Sequence, residues 1–141
     1  MNIKSKETDS LFAVAIEDIM IDDEKLIQKV EDETYRIMEK YPDGEAVSNH
    51  GGYQTPRDIW WNGESKIYEE LGEIILPLVK EYYYKTTLNN RTDEMKVQSV
   101  WGNVANHGSY NMIHVHPSSQ VSAILYIKGN REQGEVRFHN P

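Results

Sequence analysis

The hydrophobic period changes near residue 90, and that change limits the possible folds more than any other feature. Between Asp22 and Tyr41, apolar residues stand at Leu26, Ile27, Val30, Tyr35, Ile37, Met38 and Tyr41, close to the 3.6-residue period of a helix. Asp22 and Asp23 offer N-caps, and Pro42-Asp43-Gly44 stops the helix. A second helix is expected after Gly63, with Ser65 near its cap and Ile67, Tyr68, Leu71, Ile74, Ile75, Leu78 and Val79 on it, running to about Tyr84. Pro77 should kink or restart it, because proline removes a backbone donor and crowds the preceding turn. Between the helices, residues 45–63 follow no period. Beyond residue 95 the apolar residues alternate in short runs, 95–105, 110–116, 121–128 and 135–139, separated by turn-forming clusters. A further short run at 11–17 suits a buried strand. Helices followed by meandering strands predict an α+β fold with an antiparallel sheet. The expected organisation is a single domain over 1–141, helical over about 18–88 and β over about 95–141.

Composition narrows the function. A chain of 141 residues with 38% hydrophobic and 27% charged residues lies in the globular range. A net charge of -8 opposes non-specific binding to nucleic acid or to an anionic membrane surface. Zero cysteines exclude a disulfide framework, a thiolate zinc site, an iron–sulfur cluster and a cysteine nucleophile. No apolar run has the length of a signal-peptide core or a membrane span, so a soluble cytoplasmic chain is expected.

The chemistry concentrates at His114-Val115-His116. On a strand, alternate side chains share a face, so the two imidazoles would project together as a ready-made pair of metal ligands. The alternative is a pair of solvated histidines on a polar face. In the next run, Ser122, Ile124 and Tyr126 share a row that would form a half-polar pocket wall beside the histidines, able to bind a small carboxylate. His50 and His107 lie in loops and read as solvated; His139 would reach the site only if its strand face turned inward. Asn49, Trp60 and Trp61 suit either loop packing or a substrate entrance.

These residues resemble a known family. The stretch HVHPSSQVSAILYIKGNREQGEVRFHNP is similar to the front half of the double-stranded β-helix core of Fe(II)/2-oxoglutarate dioxygenases of the prolyl-hydroxylase type. More closely, VSNHGGYQT, the stretch from Trp101 to Asn111 and H-x-H-P-x-x-x-x-S resemble a 2-oxoglutarate/iron oxygenase family common in marine phages and bacteria. The resemblance covers about residues 47–141. It implies N-terminal helices packed on an antiparallel jelly-roll core, an Fe(II) cofactor held by His114 and His116, and 2-oxoglutarate as co-substrate contacted by Tyr126, Ser122 and Ile124. The implied reaction is hydroxylation of a substrate coupled to decarboxylation of 2-oxoglutarate to succinate. His116 stands where the superfamily places a carboxylate ligand. The family's third ligand and its co-substrate arginine belong to later strands, so the chain reads as a C-terminally truncated form, weakly active or inactive alone.

Two rival readings accompany this one. Gly108-x5-His114-x-His116, with Gln120 in place of a glutamate, fits the start of a cupin motif and implies a cupin-type metal enzyme. The other is a catalytically inert β-barrel interaction module, its acidic helix seeking a cationic partner. The partners expected are small molecules, with no membrane and no non-specific nucleic acid; neither the substrate nor the oligomeric state is legible.

Overall fold

The computed structural model describes residues 14–129, 132 and 134–139. Helix α1 runs Glu24–Lys40 and α3 runs Lys66–Thr87, with the single turn α2 at Asp58–Trp61 between them and a 3-10 turn at Arg91–Glu94 after them. The strands are two residues each: β1 Asn49–His50, β2 Tyr53–Gln54, β3 Asn103–Val104 and β4 Tyr110–Asn111.

Both long helices begin where a short polar side chain can satisfy an orphan donor. Asp23 Oδ1 accepts from the Leu26 amide at 3.0 Å, and Ser65 Oγ accepts from the Tyr68 amide at 3.1 Å. In α1 the buried residues are Leu26, Val30, Thr34 and Ile37, one stripe at helical spacing, facing α3. The helix ends where the Tyr41 amide bonds back to the Ile37 carbonyl and the chain turns through Gly44 at φ +56°. A side chain on Gly44 would lie 2.5 Å from the Gln54 carbonyl and from the Tyr53 ring, so glycine is required there. α3 does not restart at Pro77 but continues through it as one element. Glu73, whose carbonyl loses its donor, and Pro77 itself are exposed, so the unpaired group faces solvent.

The core consists of Leu26, Val30 and Ile37 from α1, Ile59 from α2, and Tyr68 and Leu71 from α3. Val100, Leu125 and Ile127 from the C-terminal half pack against it. At its centre Thr34 Oγ1 donates to the Val30 carbonyl at 2.7 Å, and the Tyr68 hydroxyl completes the chain to Thr34 Oγ1 at 3.0 Å. Burial pushes the Tyr68 phenol above its ordinary pKa. Gly102 lies directly against this pair. Its amide donates to Thr55 Oγ1 (3.0 Å) and its carbonyl accepts from the Thr55 amide (2.9 Å).

The pairing corrects the expected architecture. β1 pairs antiparallel with β4 (Asn49 with Asn111, His50 with Tyr110), and β2 with β3 (Tyr53 with Val104, Gln54 with Asn103). These are two separate two-stranded sheets, and neither closes, so no jelly-roll, cupin or double-stranded β-helix core is present among the described residues. The runs 95–105 and 110–116 supply only β3 and β4, and both find partners in the segment 45–63 that follows no period. Residues 121–128 and 135–139 form no strand at all. Alternation marks a segment that suits a pleated, half-buried surface, but a strand exists only where a ladder partner is present. The expected run 11–17 falls partly outside the described residues, and 14–17 form no strand; Ala15 instead accepts from the Tyr82 hydroxyl at 2.6 Å on α3. Among the described residues no helix is long and apolar enough to cross a membrane.

Candidate metal-binding site

The site grows out of a relay of backbone contacts. Glu45 accepts from Arg57 at the guanidinium (2.7 Å from Nη2 to Oε1) and at the backbone amide (3.0 Å to Oε2), closing the segment that carries β1 and β2. The Arg57 side chain holds the Glu45 carboxyl below its ordinary pKa against the opposing effect of desolvation. Within that segment Asn49 bonds the Gly52 carbonyl and the Val47 amide, fixing the turn. The β1–β4 ladder then extends by one bond, from the Met112 amide to the Ser48 carbonyl at 2.8 Å. The Met112 carbonyl in turn meets Nδ1 of His114 at 2.7 Å.

A carbonyl can only accept, so Nδ1 of His114 carries a proton, and Nε2 is the ring nitrogen through which this residue can act as a ligand. His116 stands edge-on to His114, with ring centroids 4.9 Å apart and planes at 79°. Its other neighbour is Trp101, at 5.7 Å and 35°. Desolvation, and secondly the adjacent His114, hold the His116 imidazole below the ordinary histidine value, which favours its uncharged form. Beyond it the chain turns sharply. The Ser119 amide bonds the His116 carbonyl at 3.3 Å, with Pro117 and then Ser118 (φ +66°) at the centre, the pattern of a type II turn. Ser119 Oγ anchors that turn to Gln98 Oε1 at 3.1 Å. Both imidazoles are solvent-accessible.

The two histidines therefore come together without a strand between them. Tyr126, Ser122 and Ile124 do not join them: no hydrogen bond or ring contact links these three to either imidazole among the described residues. Tyr126 and Ile124 are 68% and 63% exposed, so the expected pocket wall for a carboxylate is instead open surface. His50 stacks on Tyr110 at 5.1 Å, and His107 and His139 are exposed. Trp101 is a neighbour of the site to which ligand spacing does not point. A tryptophan in a run of alternating residues was the available signal, but its partner His116 belongs to a different run.

Residues 99–141 match the sequence profile of a family described as 2OG-Fe(II) oxygenase. That match covers well under half of the chain and includes His114 and His116. No curated protein and no solved structure matches the chain.

The geometry corrects what the resemblance implied. Among the described residues no three His, Asp or Glu side chains converge into a group able to hold a metal. The non-haem iron centre of an oxygenase needs two histidines and a carboxylate on one face, with open positions. Without that triad and without a closed β-helix to orient a co-substrate, the site does not fit Fe(II) or 2-oxoglutarate, and the expected dioxygenase activity has no structural basis. The small-molecule co-substrate and substrate expected as partners likewise have no evident pocket at the histidines. The cupin and inert-barrel readings fail with the barrel they require.

Proposed function

We propose that this chain is a metal-holding module that binds a late divalent transition-metal ion, such as Cu(II) or Ni(II), through the imidazoles of His114 and His116. The observation that carries the reading is the hydrogen bond from His114 Nδ1 to the Met112 carbonyl. A backbone acceptor on one ring nitrogen fixes the tautomer and leaves the other nitrogen as a ligand, which is how histidine ligands are commonly oriented. The His116 ring beside it, whose uncharged form is favoured by desolvation and by His114, adds a second nitrogen. Two neutral nitrogens favour the late first-row ions, which bind imidazole most tightly, over Mg(II) or Ca(II), which require oxygen ligands. Water would complete the coordination.

The test is a Cu(II) or Ni(II) titration followed by calorimetry and by tryptophan fluorescence, which Trp101, 5.7 Å from His116, should report through quenching. His114→Ala and His116→Ala should each weaken binding by at least about 10-fold. Equal affinity in the wild type and the double variant would refute the assignment.

A further inference from the structure

One side of α3 carries a groove. Glu69, Gly72, Glu73 and Leu76 recur at helical spacing, and with Trp60 of α2 and Val97 they line a cleft of about 250 Å³. Gly72 lets the walls converge: an added Cβ would lie 2.9 Å from Trp60 Cη2 and 3.5 Å from Val97 Cγ2. Trp60, Leu76 and Val97 are half-buried and supply an apolar surface. Glu69 and Glu73 supply two carboxylates four positions apart, and like charges at that spacing repel. No residue lining the cleft is basic. Lys66 reaches Glu69 Oε2 at 2.7 Å, but its side chain is 79% exposed, a geometry that holds a partner only weakly.

An apolar wall beside paired carboxylates fits a cation on a methylene stem, which lies along apolar surface while its charged head stays at the rim. The same combination occurs elsewhere in this chain. Lys40 Nζ stands 5.0 Å from the centroid of the Tyr41 ring and donates to Glu64 Oε1 at 2.6 Å. An ammonium suits two separate carboxylates, because its three donors rotate, whereas a guanidinium fork is best matched by a single carboxylate taken side-on. The cleft is smaller than the roughly 300–1,000 Å³ of sites that enclose a whole small molecule, and it has room for one side chain. A net charge of -8 draws a cationic partner toward it. We propose that this groove docks a lysine side chain presented by a basic partner polypeptide, its stem along Trp60, Leu76 and Val97 and its ammonium between Glu69 and Glu73.

The test uses a capped pentapeptide, Ala-Ala-Lys-Ala-Ala, titrated into the full chain and followed by heteronuclear NMR. The Gly72 and Val97 amides and the Trp60 indole N–H should shift together and saturate. A norleucine peptide, with the same backbone but no charge, should bind at least about 3-fold more weakly. Glu73→Gln, an exposed and nearly isosteric change, should weaken the lysine peptide about 2- to 5-fold. Glu39→Gln, an exposed carboxylate on α1, should leave its affinity unchanged. Three results would each overturn the proposal. Equal binding of the norleucine peptide would remove the charge from the recognition. Equal losses in Glu73→Gln and Glu39→Gln would replace the groove by diffuse attraction to an acidic surface. Tighter binding of n-butylammonium than of the lysine peptide would give the groove to a free amine instead of a protein.

Discussion

Replacing Gly102 by alanine tests the packing on which both the core and the site depend. An added Cβ would lie 2.5 Å from Tyr68 Oη, 2.8 Å from Thr34 Cγ2 and 3.0 Å from Thr34 Oγ1. Favourable contacts between such atoms lie near 3.5–4.0 Å, so the shortest approach is about 1 Å too close. Neither neighbour can easily yield. Tyr68 is 1% exposed, its hydroxyl is bonded to Thr34, and Thr34 is bonded in turn to the Val30 carbonyl. Gly102 cannot retreat without breaking its two bonds to Thr55. Overpacking of this kind costs about 1–3 kcal/mol. In a chain of this length that corresponds to a fall of roughly 4–12 °C in Tm, or on the order of 1 M in the urea midpoint. Urea unfolding followed by far-ultraviolet circular dichroism would measure it. Tyr68→Phe removes the closest atom, so it should cost about 0.5–1.5 kcal/mol alone and distinctly less in the Gly102→Ala background. Gly102→Ala within about 0.5 kcal/mol of the wild type, or strict additivity of the two changes, would refute the reasoning.

Two further outcomes follow from the site and its supports. Glu45 has a folded-state pKa below its unfolded value, so its contribution is present above the ordinary carboxylate range and is lost as pH falls through the folded value. Arg57→Ala should flatten that part of the stability curve and cost about 0.5–1 kcal/mol at pH 7, and an unchanged pH slope in chemical unfolding would contradict it. At roughly 100 times its dissociation constant, a metal held by His114 and His116 should stabilise the fold by about 2.7 kcal/mol. In thermal unfolding that gain should shrink as the solution is acidified, because protons compete with the metal for imidazole nitrogen, and a gain that does not respond to acidification would refute imidazole ligation.

The helices were legible in the sequence because their causes are local. Asp23 and Ser65 lie within three residues of the amides they cap, and the stripe of Leu26, Val30 and Ile37 is spaced by the helix itself. The sheets were not legible, because their causes are remote. β3 and β4 pair with residues of 45–63, some fifty or more positions earlier, where no alternation announces a strand. Reading the C-terminal runs as strands of one barrel assumed that they pair with one another, and the structure pairs them elsewhere or not at all. The histidine pair could be named from spacing, but its orientation depends on the Met112 carbonyl and on Trp101, a backbone group and a side chain that no spacing rule reaches. The row Ser122, Ile124 and Tyr126 follows from parity, and all three are exposed, but Ala123 of the opposite row is exposed too, so parity alone does not sort the segment into two faces. What parity could not supply was the distance to the imidazoles.

Helix α3 has a consequence for how this molecule opens. Its buried residues, Tyr68, Leu71 and Gly72, all lie in its first two turns, Ile75 in the next turn still packs against the core, and the helix then runs on to Thr87 with Leu88 as its C-cap. Pro77 interrupts the ladder just after Ile75, so the helix has an internal break in cooperativity although it is a single element. Solvent exchange entering from the Leu88 end should advance to that proline and halt there, leaving the tyrosine-rich turns labile and the Ser65 end protected until the whole core melts. One helix thus spans two tiers of stability, and the looser one includes Tyr82, which holds the residues preceding α1 through Ala15.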